Sequence, residues 1–229
     1  MYSCQVTSAT ERSRLSRRSV VESALALADA QGLDSLTIRG LARHLGVSPM
    51  ALYWHFKNKD ELLAGIANLM WSTVDAEPDE SLPWLDQLRA VMESLVAVLR
   101  DHPAAAQLVM NTQPEYATSC FGVMEAALRA LQAGGFSRVE AADVCRHGLR
   151  TATSLAIGQP GFSWQQRTEE EQEAIRRKRI TLQSLPAGRY PHVIEAAEPL
   201  TDCENPDAYY RFGIDLFIRG VEALARRRP

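Results

Sequence analysis

The stretch Leu36 to Lys59, LTIRGLARHLGVSPMALYWHFKNK, leaves few ways for this chain to fold. Leu36, Ile38, Leu41 and Leu45 recur at helical spacing and predict one short helix with an apolar stripe. Thr37 is placed to cap its start, and Gly46 to end it, because glycine accepts the left-handed backbone of a helix exit. Val47 then turns inward. Ser48 is a good N-cap, and Pro49 suits the first helical position, where a missing N–H costs nothing. Met50 to His55 form a second helix, short and strongly aromatic. Two helices joined by a glycine-containing turn make a helix-turn-helix, whose second helix can enter a DNA major groove.

The residue types suit that use. Ser48, Pro49, Met50 and Ala51 are small or unbranched, so this helix end can approach base edges closely. Tyr53 and His55 can hydrogen-bond phosphates or bases, and Lys57 and Lys59 are placed for phosphate. Leu33, Leu36, Ile38, Leu41, Leu45, Val47, Leu52, Tyr53 and Phe56 are the expected small core; Tyr53 or Trp54 must then stay outside it, free for the DNA backbone. A plain αα-hairpin would explain the stripe, but not cap, turn and basic flank together. An earlier helix, from about Leu15 to Gln31, buries Val20, Val21, Ala24, Leu25, Leu27 and Ala28. Arg17 and Arg18 sit in its first turn, against the helix dipole, and a phosphate nearby would relieve that cost.

Charge is unevenly spread. Residues 1–60 hold eight Lys or Arg against five acids, about +3, which leaves about −6 on the remainder of a chain whose net charge is −3. A basic head on an acidic body fits a DNA reader joined to a second domain of another purpose.

LTIRGLARHLGVSPMALYWHFKNKDELLAGIA resembles the DNA-binding domain of the TetR family of bacterial transcriptional regulators. LYWHFKNKDELL is its most specific part, since LYxHFxxKxxLL recurs at the end of that domain. The resemblance is strong over about residues 14–70, while GFSRVEAA and YYRFGIDLFIRGVEAL resemble the family's second domain more weakly. It implies an all-α fold: an N-terminal three-helix helix-turn-helix domain and a larger helical domain for ligand binding and dimerisation. It also implies that Arg39 reaches a guanine or a phosphate and that Arg43, one turn on, meets phosphate. Repression, rather than activation, follows from the resemblance alone.

The expected organisation is a disordered arm over 1–13, the reader over 14–58, a linking helix over 59–75, a boundary loop over 76–83 rich in proline and acid, and a helical domain over 84–229. Within the last, helices are expected at Trp84–Arg100, Ala104–Met110, Tyr116–Ala133 (Phe121, Met124, Leu128 and Leu131 inward), Ser137–Ile157, Thr168–Gln183, His192–Ala197 and Pro206–Arg226. Ser137–Ile157 and Pro206–Arg226 carry small residues at helical spacing and are the expected homodimer surface, as a two-fold four-helix bundle. A two-fold dimer matches a palindromic operator in double-stranded DNA. Met92, Met110, Phe121, Met124 and Leu128 are candidates to line a ligand cavity, and Asn111, Gln113 and His147 to orient its occupant. In tetracycline-binding members of the family, a histidine in the segment matching Val109 to Pro114 helps hold a magnesium-bound drug. Val109 stands in its place here, so the expected effector is a different, largely apolar small molecule, with no metal and no cofactor.

No apolar run is long enough to cross a membrane, and the N-terminus lacks the apolar core of a secretory signal. Cys4, Cys120, Cys145 and Cys203 form no CxxC pair and predict reduced thiols in a cytoplasmic protein. HExxH, GxSxG and glycine-rich phosphate loops are missing, and the five histidines are scattered, so no catalytic residue is expected. The expected function is a sequence-specific DNA-binding regulator, a repressor released by a small molecule. The alternatives are a constitutive DNA-binding dimer without a ligand, and an all-α enzyme with an incidental hairpin.

Overall fold

The computed structural model describes residues 15–111, 118–158, 168–203 and 205–226, without the side chains of Ala105, Met110 and Asn111. The arm expected over 1–13 lies outside them. All regular structure among the described residues is helical. The N-terminal part holds α1 (Arg17–Gln31), α2 (Ile38–Leu45) and α3 (Pro49–Tyr53), with a 3-10 turn, Leu33–Ser35, after α1. Then comes α4 (Lys59–Thr73), in the stretch expected as the linking helix and grouped below with the reader on which it packs. The body holds α5 (Trp84–Asp101), α6 (Pro103–Asn111), α7 (Cys120–Ala133), α8 (Arg138–Ile157), α9 (Glu169–Gln183), α10 (Pro191–Glu195) and α11 (Pro206–Arg226).

Local chemistry sets most helix starts. Ser16, Thr37, Ser48, Asn58, Ser137 and Thr168 each stand at an N-cap, where the side chain accepts a backbone N–H of the first turn. At Ser137 and Thr168 a glutamate three residues on closes a capping box. Gly46 ends α2 in the left-handed region at φ 67°, as the turn requires.

The reader closes on Leu36, Leu41, Leu52 and Phe56, all buried, while α4 adds Leu62, Ile66, Ala67 and Met70. Its core is continuous with that of the body, because α1 and α4 both pack on α6 and α4 also meets α7. In the body, α5 lies against α7, α8 and α11. α9 buries no residue, in keeping with its charged sequence. Its Arg176 pairs with Glu173 on the same helix, but Arg179 reaches Glu198 after α10 instead of an intrahelical acid.

One helix face differs from expectation. On α7 the buried residues are Cys120, Val123, Ala126, Ala130 and Leu131, with Leu128 partly buried; Phe121 and Met124 are 50% and 44% exposed. α7 packs closely on α5 and α8, and its narrow side chains permit that approach, so the bulky pair is turned out. The stretch 112–117, which includes the expected start of this helix, lies outside the described residues.

Candidate DNA interface and body surfaces

α3 is fixed from within and open without. Leu52 is fully buried and Phe56, just after the helix, is 1% exposed, whereas Met50, Tyr53 and Trp54 are 66%, 47% and 84% exposed. Ser48 Oγ accepts the Ala51 N–H at 3.3 Å, and Pro49 occupies the first turn. Ser48 and Pro49 are exposed and Ala51 half-buried, so this helix end is presented as expected. Tyr53 is not part of the core: both it and Trp54 face outward, more aromatic surface than the sequence reading required. His55 is half-buried. Arg39 and Arg43 on α2 are exposed, as is Lys57; Lys59, the first residue of α4, is half-buried. Together these residues present cations, hydroxyls and aromatic faces around a capped helix N-terminus, a composition suited to phosphates and base edges.

Arg17, expected at a phosphate, also has partners within the chain. Its Nη1 donates to the His55 carbonyl at 2.5 Å and to Glu61 Oε1 at 3.0 Å, and its guanidinium lies 4.4 Å from the centroid of the Phe56 ring. Glu61, not a phosphate, offsets the cation at the start of α1. The other oxygen of Glu61 accepts the Lys57 N–H at 2.9 Å, while Asn58 Oδ1 accepts the Glu61 N–H at 2.8 Å. The Lys57 N–H foremost, then Arg17, holds the Glu61 carboxyl below its ordinary value of 4.5. This knot locks α1 to the α3–α4 junction. No local signal marks it, since Arg17 and Glu61 stand 44 residues apart.

Among the described side chains, the residues expected to line an effector site do not share one cavity. Met92 is buried in the core, and Leu128 is partly buried. Phe121 and Met124 face outward, and Met110, Asn111 and Gln113 fall outside the described side chains. His147 is exposed in an open groove of about 640 Å³ between α8 and α11, beside Leu216, Gly220 and Leu224. Val144, one turn before it on α8, lines the same groove, while Ala141, Gly148 and Ala152 are buried. A broader groove of about 1220 Å³ runs along α4 between Arg17 and Ser119, and none of the expected effector residues with described side chains lines it.

Cys120 and Cys145 are poor nucleophiles in this setting. Burial pushes the Cys145 thiol up to about 11 and raises Cys120 as well. Among the described residues no helix is long and apolar enough to cross a membrane.

Residues 20–66 match the family model of bacterial regulatory proteins of the tetR family, and residues 77–225 match the tetracyclin repressor-like C-terminal domain. The class E tetracycline repressor of Escherichia coli is 34% identical over 219 residues, covering 92% of each chain. The class C repressor of Escherichia coli is 30% identical over 213 residues, also 92% of each. Among solved structures, ActR of Streptomyces coelicolor, a TetR family protein in complex with actinorhodin, is 28% identical with a TM-score of 0.74. That match covers 92% of this chain and 97% of ActR. Two family models spanning reader and body, and relatives at this identity over nearly the whole length, establish that the chain belongs to the TetR family, as a helix-turn-helix DNA-binding transcriptional regulator.

Proposed function

We propose that this chain works as a homodimeric, cytoplasmic repressor that grips a palindromic operator through two copies of α3 and is released by a small-molecule effector held in its body. The observation that carries this reading is the presentation of α3. Met50, Tyr53 and Trp54 are large, stand on a helix anchored by Leu52 and Phe56, and are left exposed. Ser48, Pro49, Met50, Ala51, Tyr53, Trp54 and His55 would meet bases and adjoining phosphates, with Arg39, Arg43, Lys57 and Lys59 on the backbone.

One α3 reads too few base pairs for a useful specificity ratio, which argues for two. The outward side of α8 and α11 offers the joining surface. Phe212, Leu216 and Leu224 are 66%, 59% and 51% exposed along one face of α11, and Gly220 opens a gap between them. Two such faces would stack as a four-helix bundle about a two-fold axis. The effector would be largely apolar. Val109, where a drug-holding histidine falls in tetracycline-binding relatives, is a buried part of the core here; ActR, for comparison, takes actinorhodin. An effector that prefers one tilt of α4 would lower operator affinity by its differential affinity for the two tilts.

The test is a gel shift with purified protein, the DNA upstream of its own gene and excess competitor DNA at physiological salt. A discrete complex at nanomolar protein, formed in steps of two protomers, is the expected result, and that complex is then challenged with apolar small molecules. If neither this fragment nor any from a genome-wide selection is retained, the operator-binding reading fails.

A further inference from the structure

Two polar side chains of the reader complete backbone that belongs to the body. α5 and α6 are separated by a single residue, His102. The run Leu99-Arg100-Asp101-His102 before α6 offers no Ser, Thr or Asn, its one acid, Asp101, pairs with Arg100, and Pro103 has no N–H to give. The cap comes instead from α1. Asp29 Oδ1 accepts the Ala104 N–H at 3.2 Å, and Asp29 Oδ2 lies 2.8 Å from His102 Nδ1, which donates because a carboxylate can only accept. At the start of α7 the pattern repeats from α4: Asn68 Oδ1 accepts the Ser119 N–H at 2.9 Å. Asp29 and Asn68 stand on different helices, and the two backbone sites they hold are fifteen residues apart in the chain.

We propose that Asp29 and Asn68 are the positioning pair that couples reader to body, making the first turn of α6 and the start of α7 complete only in one seating of α1 and α4. The assignment rests on the DNA-reading function proposed above. Apolar contact between the two parts resists separation but tolerates small sliding. A carboxylate shared between an imidazole and a backbone N–H, with a second amide fixed from the neighbouring helix, has one register, so the pair turns a loose packing into two discrete arrangements. A shift of α6 or α7 then breaks these bonds or carries α1 and α4 with it. By reciprocity, seating the reader on DNA must tighten the start of α6.

Hydrogen exchange on the full-length protein tests this, with and without a DNA duplex selected from genomic fragments by the parent protein. In the parent, the duplex slows exchange at Ala104 to Ala106. In an Asp29→Ala/Asn68→Ala double variant, exchange there is faster by about five- to ten-fold without DNA, the scale of a lost helix cap. Amides of α8 are unchanged, the duplex still binds, and binding no longer slows α6. Asp29→Ala alone serves if the double variant fails to fold. If the variant binds the duplex and protects α6 as the parent does, the coupling role is overturned. If the parent retains no genomic fragment, the DNA-reading function falls and takes the coupling with it.

Discussion

The reader and the α8–α11 pair solve the packing of helices in opposite ways. In the reader, Leu36, Leu41, Leu52 and Phe56 are large and almost completely buried, and what stays outside α3 is a short aromatic surface. On α8 the buried residues Ala141, Val144, Gly148, Ala152, Thr153 and Ala156 are mostly small, while α11 buries Tyr210, Ile214, Ile218 and Val221 and turns Phe212, Leu216 and Leu224 out. Large interlocking side chains give a small domain one arrangement. Small ones bring helices close inside one chain and leave the bulky residues for another surface. The same four-residue spacing therefore predicts an inward face in the reader and conceals an outward one in the body.

Truncation should separate the two regions most sharply. Phe56→Ala removes a 1% exposed ring that also lies under Arg17, and should cost about 3–5 kcal/mol of reader stability by chemical denaturation. The matching change on the body surface, Phe212→Ala, should leave protomer stability within about 0.5 kcal/mol and appear only as weaker dimerisation. Equal losses at both sites would erase the distinction.

Two glycines on α11 sharpen it. A Cβ at Gly213 would run into the Leu155 side chain, so Gly213→Leu should overpack the contact between α8 and α11 within one chain and cost about 1–3 kcal/mol. A Cβ at Gly220 meets nothing within 4 Å, so Gly220→Leu should leave the thermal transition in place and shift sedimentation from dimer to monomer. A stable dimer carrying Gly220→Leu would move the interface elsewhere.

On the reader the exposed aromatics should matter for DNA and not for folding. Trp54→Ala is expected to lower operator affinity by about 1–3 kcal/mol with no change in the denaturation midpoint. Lys59→Ala should weaken binding to every duplex alike and reduce the salt slope by about one. An unchanged slope would remove Lys59 from the phosphate contacts.

How legible each region was follows from the range of its determinants. Thr37, Gly46, Ser48 and Pro49 act within one turn of where they stand, so α2, α3 and the turn between them could be read from the chain. The same holds for Ser137 at the start of α8. The inward face of α7 could not be read, because apolar residues surround much of that helix and contact with α5 and α8 chooses the narrow side. The partner of Arg17 was not legible for a related reason. An arginine in the first turn of a helix signals an anion nearby, but nothing local says whether that anion is a phosphate or Glu61. Asp29 was invisible as a cap, since it serves a helix some 75 residues away.

Acid titration gives the smallest expected effect and bears on the Arg17 knot directly. The Glu61 carboxyl titrates below its ordinary 4.5 in the folded chain, chiefly through the Lys57 N–H and then Arg17. Its contribution is therefore fully present above the unfolded value and is lost as pH falls below about 4.5 and through the lowered folded value. With Arg17 about half exposed, the pair should be worth about 1 kcal/mol or less. Glu61→Gln keeps an acceptor for the Lys57 N–H but removes the charge facing Arg17. Its denaturation midpoint should lie slightly below the parent's at pH 7, and the gap should close as pH falls below about 4.5 and through the lowered folded value. A gap that persists in acid would mean that Glu61 holds α1 to the α3–α4 junction by shape and hydrogen bonding rather than by charge, and the freed Arg17 would then be judged by its effect on DNA binding alone.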